Sequence, residues 1–345
     1  MLQSSGSFCS FRRLFVVFFA TIFLWILYHQ CVTFHLFGSS APSINAVIAA
    51  TTTGNYEWAY RLKIPKLVVI PYIANDPSAQ YHPPSNKGNE AMIYLSYITA
   101  FYDNLPDISI FAHDSENAWH NDIIFGQNLT DTIHSLDLEE VERRGYVNLK
   151  VDWQGGCPQW INSSITIDSP NYSELRSEEI YVREMFQNMF PGHDVPEIFG
   201  GPCCSQFAAT RAAIQKLPKQ WYQDRIDWIL NTDLPDYISG RLFERMWAYM
   251  WIGTANDCPI EYKALCRVFH ICFNDQEELD EWNGAAYLSE KGTRDAWADR
   301  VTNNHIDDRT EHAVGEMGPW LKRGKDEAVK RGRSKYYRWK IAGDL

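Results

Sequence analysis

The stretch KLVVIPYI at residues 66–73, the helical pattern over 86–105 and the stretch DISIFA at 107–112 decide the fold. The first is a short, continuous apolar run closed by Pro71, which is typical of a buried strand. In the second, apolar residues recur every three or four positions, which predicts a helix that Pro106 ends. A strand, a helix and another strand of these lengths predict a βαβ unit with two parallel strands.

The same alternation continues downstream, so the chain is predicted to have an α/β fold. We expect a Rossmann-like single domain with a partly parallel sheet flanked by helices. The 345 residues, of which 45% are hydrophobic, suffice for a substantial core. Further helices are predicted at 136–144, 178–190, 219–230 and 239–252, a further strand at 146–151, and a turn at 200–202.

The N-terminus carries a membrane signal. Arg12 and Arg13 precede an apolar run over residues 14–34, close to the roughly 20 residues that cross a bilayer. The positive charges place residues 1–13 in the cytosol, so 14–34 are predicted to be a signal anchor and the rest to face the lumen. We expect a single-pass type II membrane protein of the Golgi or endoplasmic reticulum. The alternative is a cleaved signal peptide with a processing site at 38–41.

Three further segments are predicted after the anchor. Residues 35–62 are rich in Ser, Thr, Ala and Asn and lack periodicity, which is typical of a stem. The lumenal α/β domain is predicted over 63–274. Residues 275–345 are more charged and are interpreted as an extension of amphipathic helices. The basic end of this extension, at 322–340, is either a solvated helical tail or a surface for anionic membranes.

The cysteine content agrees with a lumenal domain. Apart from two cysteines near the N-terminus, six remain, and three disulfides are expected in an oxidising compartment. The adjacent Cys203 and Cys204 would be strained if joined, so each is expected to reach a different partner. A zinc site at Cys258, Cys266 and Cys272 is the alternative, although no close C-x-x-C pair supports it.

The charge of the chain limits its partners, and its glycosylation triplets bear on its location. The net charge of -11 is spread over the middle of the chain, which disfavours nucleic acid as a partner. Glycosylation triplets begin at Asn128, Asn162 and Asn171, which is compatible with surface loops in the lumen.

Four acidic or imidazole side chains follow the second strand of the predicted unit: His113, Asp114, Glu116 and His120. Ligands of open parallel sheets gather at the carboxyl ends of the strands. Carboxylates suit Mg²⁺ and Mn²⁺, and imidazoles suit Mn²⁺ and Zn²⁺, so this cluster is a candidate site for a divalent cation. The alternative is a polar loop whose side chains cap a following helix.

A second cluster opens the first predicted helix: Asn86, Lys87, Gly88 and Glu90. A helix N-terminus presents free backbone N–H groups and the positive end of its dipole. Because Lys87 adds a charge, the cluster could bind the phosphates of a nucleotide. The alternative is simple capping of the helix by Asn86.

A third cluster combines Arg211, Arg241 and Glu244. If Glu244 faces a cleft, it is a candidate general base, and either arginine could contact a leaving phosphate. Arg241 and Glu244 are three residues apart on a predicted helix, so the alternative is a surface ion pair.

Five short motifs occur in a fixed order. They are NKGNEAMIYLSYI at 86–98, FAH at 111–113, WHND at 119–122, CCSQFA at 203–208 and SGRLFE at 239–244. The set resembles the family called domain of unknown function 3431, over about residues 67–272, and this family has no assigned reaction. Together with the anchor and stem, its layout is similar to nucleotide-sugar glycosyltransferases of the type A fold. Their usual Asp-x-Asp metal motif does not occur in the sequence, and the nearest substitute is Asp114-Ser-Glu116.

The leading hypothesis is a lumenal glycosyltransferase-like enzyme that transfers a sugar from a nucleotide donor to a hydroxyl acceptor. The cluster after the second strand would hold Mn²⁺ or Mg²⁺ on the donor diphosphate, foremost through Asp114 and Glu116. Glu244 or Asp236 would activate the acceptor hydroxyl, and His120 is a third candidate for this proton transfer.

Two rival functions follow from the same residues. A metal-dependent hydrolase or a biosynthetic tailoring enzyme would use His113 and His120 with zinc or iron. A non-catalytic, disulfide-stabilised binding protein would use every cluster for structure alone.

Overall fold

The computed structural model describes Trp25, residues 41–303 and residues 308–343, with side-chain positions outside 294–314. The predicted cytosolic tail at 1–13 and, apart from Trp25, the predicted anchor at 14–34 lie outside the described residues. Within the described ranges, no helix combines the length and the apolar composition that a bilayer crossing requires.

A mixed sheet of five strands forms the centre of the domain. The strands in chain order are β1 (Ile44–Ala50), β2 (Leu67–Ile73), β3 (Ile108–His113), β4 (Tyr146–Asn148), β5 (Ile161–Asn162), β6 (Ile198–Phe199) and β7 (Phe207–Thr210). The sheet has the order β2-β1-β3-β7-β4, and β5 pairs with β6 separately. β1 is parallel to β2 and β3, whereas β7 is antiparallel to β3 and β4. The carboxyl ends of β1–β4 therefore lie at one edge, beside the start of β7.

β1 lies in the middle of the parallel strands, and its position corrects two predictions. The predicted stem at 35–62 is wrong from Ile44 onward, because these residues enter the sheet. Val47 is paired with both Ile70 and Phe111 and is fully buried. β2 and β3 are parallel, as predicted, but β1 separates them. The strand sequence INAVIAA has few large apolar residues, so it does not stand out from the Ser- and Thr-rich residues around it.

Helices cover both faces of the sheet. They are α1 (Asn89–Phe101), α2 (Leu129–Ser135), α3 (Leu138–Arg144), α4 (Glu179–Met189), α5 (Arg211–Ile214), α6 (Lys219–Asn231), α7 (Asp236–Ile252), α8 (Glu261–Val268), α9 (Gln276–Asn303), α10 (Asp308–Gly332) and α11 (Lys335–Ala342). α1, α4, α6 and α7 bury their apolar side chains against one face, and α2, α3, α8 and α9 against the other. The predicted α/β class with a partly parallel sheet and flanking helices is confirmed.

The extension packs against the domain. Trp282 of α9 and Ala328 of α10 are 5% and 0% exposed. The backbone N–H of Cys272 donates to the carbonyl of Ala328 (3.0 Å), which joins α10 to the end of the domain. The helices predicted over 275–345 are present. Within the predicted tail at 322–340, Ala328 is buried, whereas Tyr336 and Trp339 are 66% and 58% exposed.

Six cysteines form three disulfides, as predicted, which indicates a secreted or lumenal domain. Cys157 pairs with Cys258, and Cys266 pairs with Cys272. These pairs contradict the alternative of a zinc site, because they use all three of its cysteines.

A chain that begins at residue 63, the predicted start of the domain, is expected not to fold, because β2 and β3 lose their shared neighbour. A chain that begins at Ser43 keeps the compact unit Ser43–Leu345 and is expected to unfold cooperatively. Circular dichroism and thermal unfolding of the two secreted proteins test this difference. A cooperative transition of the shorter chain within about 5 °C of the longer one would contradict the central role of β1.

Candidate functional site

The carboxyl edge of the parallel strands brings three loops together. Gly54 follows β1, Asn75 follows β2 and Asp114 follows β3. The Thr52 N–H donates to Asn75 Oδ1 (2.9 Å), and Asn75 Nδ2 donates to Thr52 Oγ1 (3.0 Å), so the first two loops are joined. A Cβ at Gly54 would lie 1.7 Å from Asp114 Oδ2. The Asp114 carboxylate therefore occupies space that only a glycine leaves open.

Tyr94 of α1 lies beneath this edge with an unpaired hydroxyl. Its side chain is 0% exposed, and its oxygen has no hydrogen-bond partner. Burial, followed by the charges of Glu90 and Asp114, raises the pKa of Tyr94 well above its usual range. Glu90 on the first turn of α1 and Asp114 after β3 thus act on the same phenol, and both are partly exposed. The edge therefore carries two carboxylates from different elements.

His113 and His120 pack against each other, with ring centroids 4.7 Å apart. His113 Nε2 lies 2.9 Å from the carbonyl oxygen of Cys204. Because a carbonyl only accepts, Nε2 carries a proton, and Nδ1 is the basic atom of the neutral ring. His120 Nε2 is buried without a hydrogen-bond partner, and burial, followed by His113 and Lys150, lowers the pKa of His120 to about 4. His120 is therefore neutral at pH 7.

Glu116 is engaged in local contacts. Arg61 donates to its Oε2 and the Thr130 hydroxyl donates to its Oε1, each at 2.7 Å. The Thr130 hydroxyl, together with Arg61, lowers the pKa of Glu116. Both oxygens of Glu116 thus have local partners, which argues against its predicted role as a metal ligand beside Asp114. Among the residues whose side chains are described, no three His, Cys, Asp or Glu side chains form a group that could hold a metal ion.

A second group of ionisable side chains is buried next to His120. Lys150 is 2% exposed, and its amine lies 3.5 Å from Asp152 Oδ1. Tyr287 of α9 donates to Asp152 Oδ2 (3.2 Å), which joins the extension to this group. Burial, followed by the charge of Asp152, raises the pKa of Asp122 to about 6. Asp152 thus contacts both Lys150 and Tyr287, and its charge acts on the buried Asp122.

The adjacent Cys203 and Cys204 form a disulfide with each other, which corrects the prediction that each reaches a different partner. The backbone φ angles of 88° at Cys204 and 50° at Ser205 turn the chain sharply here, so the two sulfurs can meet. The Cys204 N–H donates to Glu244 Oε1 (3.1 Å), and its carbonyl contacts His113. The disulfide loop therefore lies between the end of β3 and α7.

Glu244 belongs to a charged network between α7 and the start of α4. Arg245 lies 3.0 Å from Glu244 and 3.2 Å from Glu178, and the side chains of Arg245 and Glu178 are 6% and 1% exposed. Arg241 pairs with Glu178 at 3.6 Å, so the alternative of an Arg241–Glu244 pair is wrong. Because Glu244 Oε1 accepts from both Arg245 and the disulfide loop, it anchors that loop, which argues against the predicted role as general base.

The start of α1 is closed by contacts to its neighbours. Gly88, with φ 70°, is the N-cap in place of the predicted Asn86. Its N–H donates to Asp236 Oδ1 (3.0 Å), so Asp236 anchors this helix start, which argues against the predicted role as a base. Lys87 donates to two carbonyls at the end of α6. These contacts use Lys87 and Gly88, which argues against their predicted binding of phosphate, whereas Glu90 on the first turn of α1 is partly exposed.

Arg211 lies at the opposite edge of the sheet. Its guanidinium donates to Asp107 Oδ1 (3.0 Å), directly before β3, whereas Asp114 follows that strand. β7 is antiparallel to β3, so Thr210 is paired with Ile108 at the start of β3. Arg211 therefore lies away from the carboxyl edge, which argues against its predicted contact with a leaving phosphate there.

Two residues of this site are missed by the sequence patterns. Gly54 lies in the predicted stem, where a lone glycine has no meaning until β1 is recognised. Tyr94 belongs to the apolar stripe of the predicted first helix. A tyrosine within this stripe is the sequence signal that could have identified the position, because the oxygen of a buried phenol usually has a hydrogen-bond partner.

His120, whose Nε2 is buried without a hydrogen-bond partner, is expected to lower the free energy of unfolding as the pH falls from 7 to 4, whereas Asp122, with its pKa raised to about 6, contributes in the opposite direction. The folded pKa of His120, about 4, lies below the ordinary 6.5, so at this group the native state binds fewer protons in this window and is more stable at higher pH. His120→Gln should reduce the change in the free energy of unfolding per pH unit. The reduction should be less than about 1 kcal/mol per pH unit, since the ring is only partly buried. Urea unfolding at pH 4.5 and 7 measures it, with His82→Gln as the exposed control. Equal slopes in wild type and His120→Gln would contradict this assignment.

Comparison with known proteins identifies a family without a known function. A family model described as Protein of unknown function (DUF3431) matches residues 46–267, more than half of the chain. No curated protein and no solved structure matches the chain. The match begins in β1 and ends in α8, so it contains the carboxyl edge, whereas α9–α11 lie beyond it. The chain therefore belongs to the DUF3431 family.

Proposed function

We propose that the carboxyl edge of β1–β3 binds a nucleotide sugar with a divalent cation, and that the protein transfers the sugar to a hydroxyl acceptor in the lumen. The observation that carries the proposal is the Asp114 carboxylate, which lies against Gly54 at the carboxyl edge, with the partly exposed Glu90 on the first turn of the helix that follows β2. Ligands of open α/β sheets bind at this edge. The resemblance of the layout to type A glycosyltransferases supports the same class of substrate.

The proposed cation is Mn²⁺ or Mg²⁺. Mg²⁺ is usually bound through one or two carboxylates, while substrate phosphates and water complete its coordination. Asp114 and Glu90 supply this number of carboxylates, with Glu90 in place of the predicted Glu116. When bound, the cation would neutralise the charge that develops on the leaving diphosphate.

Arg241 is kept as a candidate contact for the donor phosphates. It lies on α7 three residues before Glu244, pairs with Glu178 at 3.6 Å and keeps 42% of its side chain exposed. A guanidinium matches the geometry of phosphate oxygens, so Arg241 could exchange this long ion pair for the donor.

We assign the proton transfer to His113. Its Nδ1 is the basic atom of the neutral ring, because Nε2 donates to the Cys204 carbonyl. In this step the acceptor oxygen bonds to the anomeric carbon, the bond from that carbon to the diphosphate oxygen breaks, and the hydroxyl proton moves to Nδ1. Glu244 and Asp236, the carboxylates predicted for this role, accept backbone N–H groups instead.

Asp114→Asn is expected to weaken the binding of a sugar nucleotide in the presence of Mn²⁺ by at least about tenfold, because a lost charge-assisted contact costs about 1.5–3 kcal/mol. Isothermal titration of the unit Ser43–Leu345 with uridine and guanosine diphosphate sugars measures this loss. Asp107→Asn, the same change at the other end of β3, is the matched control and should bind normally. Absence of binding to every donor, or an equal loss in both variants, would contradict the proposal.

Gly54→Ala is expected to weaken the same binding while Asp114 keeps its charge, because the new methyl group displaces the Asp114 carboxylate. A loss of about tenfold is expected from the misplaced ligand. Gly284→Ala on α9, where a Cβ meets nothing within 4 Å, is the control for the added methyl group. If Gly54→Ala folds and binds donors as tightly as wild type, the Asp114 carboxylate is not the contact.

A further inference from the structure

A groove between the domain and the extension has the character of a second ligand site. Its volume is about 500 Å³. One wall is the short 3₁₀ helix Ile123–Phe125, and α9 and α10 form the others with Trp282, Ala286 and Leu321. Small-molecule sites typically have about 300–1,000 Å³, mostly apolar walls and a few polar groups. The groove matches this description.

Lys325 of α10 lines the groove with a half-buried ammonium group. Its nitrogen lies 5.0 Å from the centroid of the Phe125 ring. Burial lowers the pKa of Lys325, and the carboxylates that act on it, Asp131, Asp122 and Asp326, form no ion pair with it in the described part of the chain. The Phe125 ring offsets part of the cost of this lost hydration, but a half-buried cation without an anionic partner is still costly. An anionic group at this point would remove that cost.

The other charged side chains of the groove have partners. Gln127 Nε2 donates to Glu290 Oε2 (3.1 Å), which joins the domain to α9. Lys322 at the rim is paired with Asp326. Of the two described lysines of the groove, Lys325 is thus the one without an ion pair to a described residue.

We propose that this groove binds a long-chain fatty acid, with the acyl chain along the apolar walls and the carboxylate on Lys325. The apolar walls favour a chain over a compact anion, because an anion alone would gain one contact and bury no apolar surface. The charge of Lys325 favours an acid over a neutral or cationic amphiphile. Two of the walls lie beyond the DUF3431 match, so the site does not depend on the proposed transfer reaction.

Isothermal titration of the unit Ser43–Leu345, without detergent, tests the proposal with three probes below their micelle concentrations. They are laurate, dodecyltrimethylammonium with the same chain and opposite charge, and acetate as the head group alone. We expect one laurate per chain, bound at least tenfold more tightly than the ammonium, and no measurable acetate binding. Lys325→Gln should weaken laurate binding at least tenfold without weakening the binding of the ammonium, whereas Lys330→Gln, at an exposed position of α10 outside the groove lining, should behave as wild type.

Ser289→Trp tests the proposal by blocking the groove, because it places a large side chain there at a partly exposed position. It should abolish laurate binding while the protein keeps its cooperative thermal transition. No laurate binding to the wild-type unit, equal binding of laurate and the ammonium, or laurate affinity that neither Lys325→Gln nor Ser289→Trp changes would overturn the proposal.

Discussion

The parallel pairing of β1 with both β2 and β3 is the constraint on which the rest of the structure depends. One short strand of small and β-branched residues supplies backbone hydrogen bonds on both of its sides, and it is buried on both faces. Because three parallel strands end together, their loops meet at one edge. Gly54, Asn75 and Asp114 come together for this reason.

A network of buried charged side chains lies on the other side of the carboxyl edge. Glu178 and Arg245 are nearly inaccessible to solvent, and Arg245 continues the network to Glu244 and the disulfide loop. Removing one member of a buried ion pair leaves an uncompensated charge, so such networks hold their members in place. Through the Cys204 carbonyl this rigidity reaches the His113 ring. The orientation of the proposed base therefore depends on residues far from it in sequence.

Local patterns predicted the parts of the fold that carry a strong period or a continuous apolar run, such as α1, β2 and α7. They missed β1, because its alanines resemble a linker when the neighbouring strands are unknown. They also predicted that His113 and Asp114 lie at the carboxyl end of a parallel strand, since the topology of a βαβ unit implies it. They did not predict the role of a side chain whose ion-pair partner is distant in sequence. Examples are Glu116, which pairs with Arg61, and Arg211, which pairs with Asp107. No local pattern places such partners.

Hydrogen–deuterium exchange of the unit Ser43–Leu345, with and without Mn²⁺ and a saturating sugar nucleotide, tests most directly whether the carboxyl edge is the ligand site. Slower exchange is predicted in peptides that cover residues 51–56, 89–95 and 113–120, with no change at 104–107 and 210–215. Protection confined to the opposite edge of the sheet, or no protection anywhere at ligand saturation, would contradict the assignment of the site.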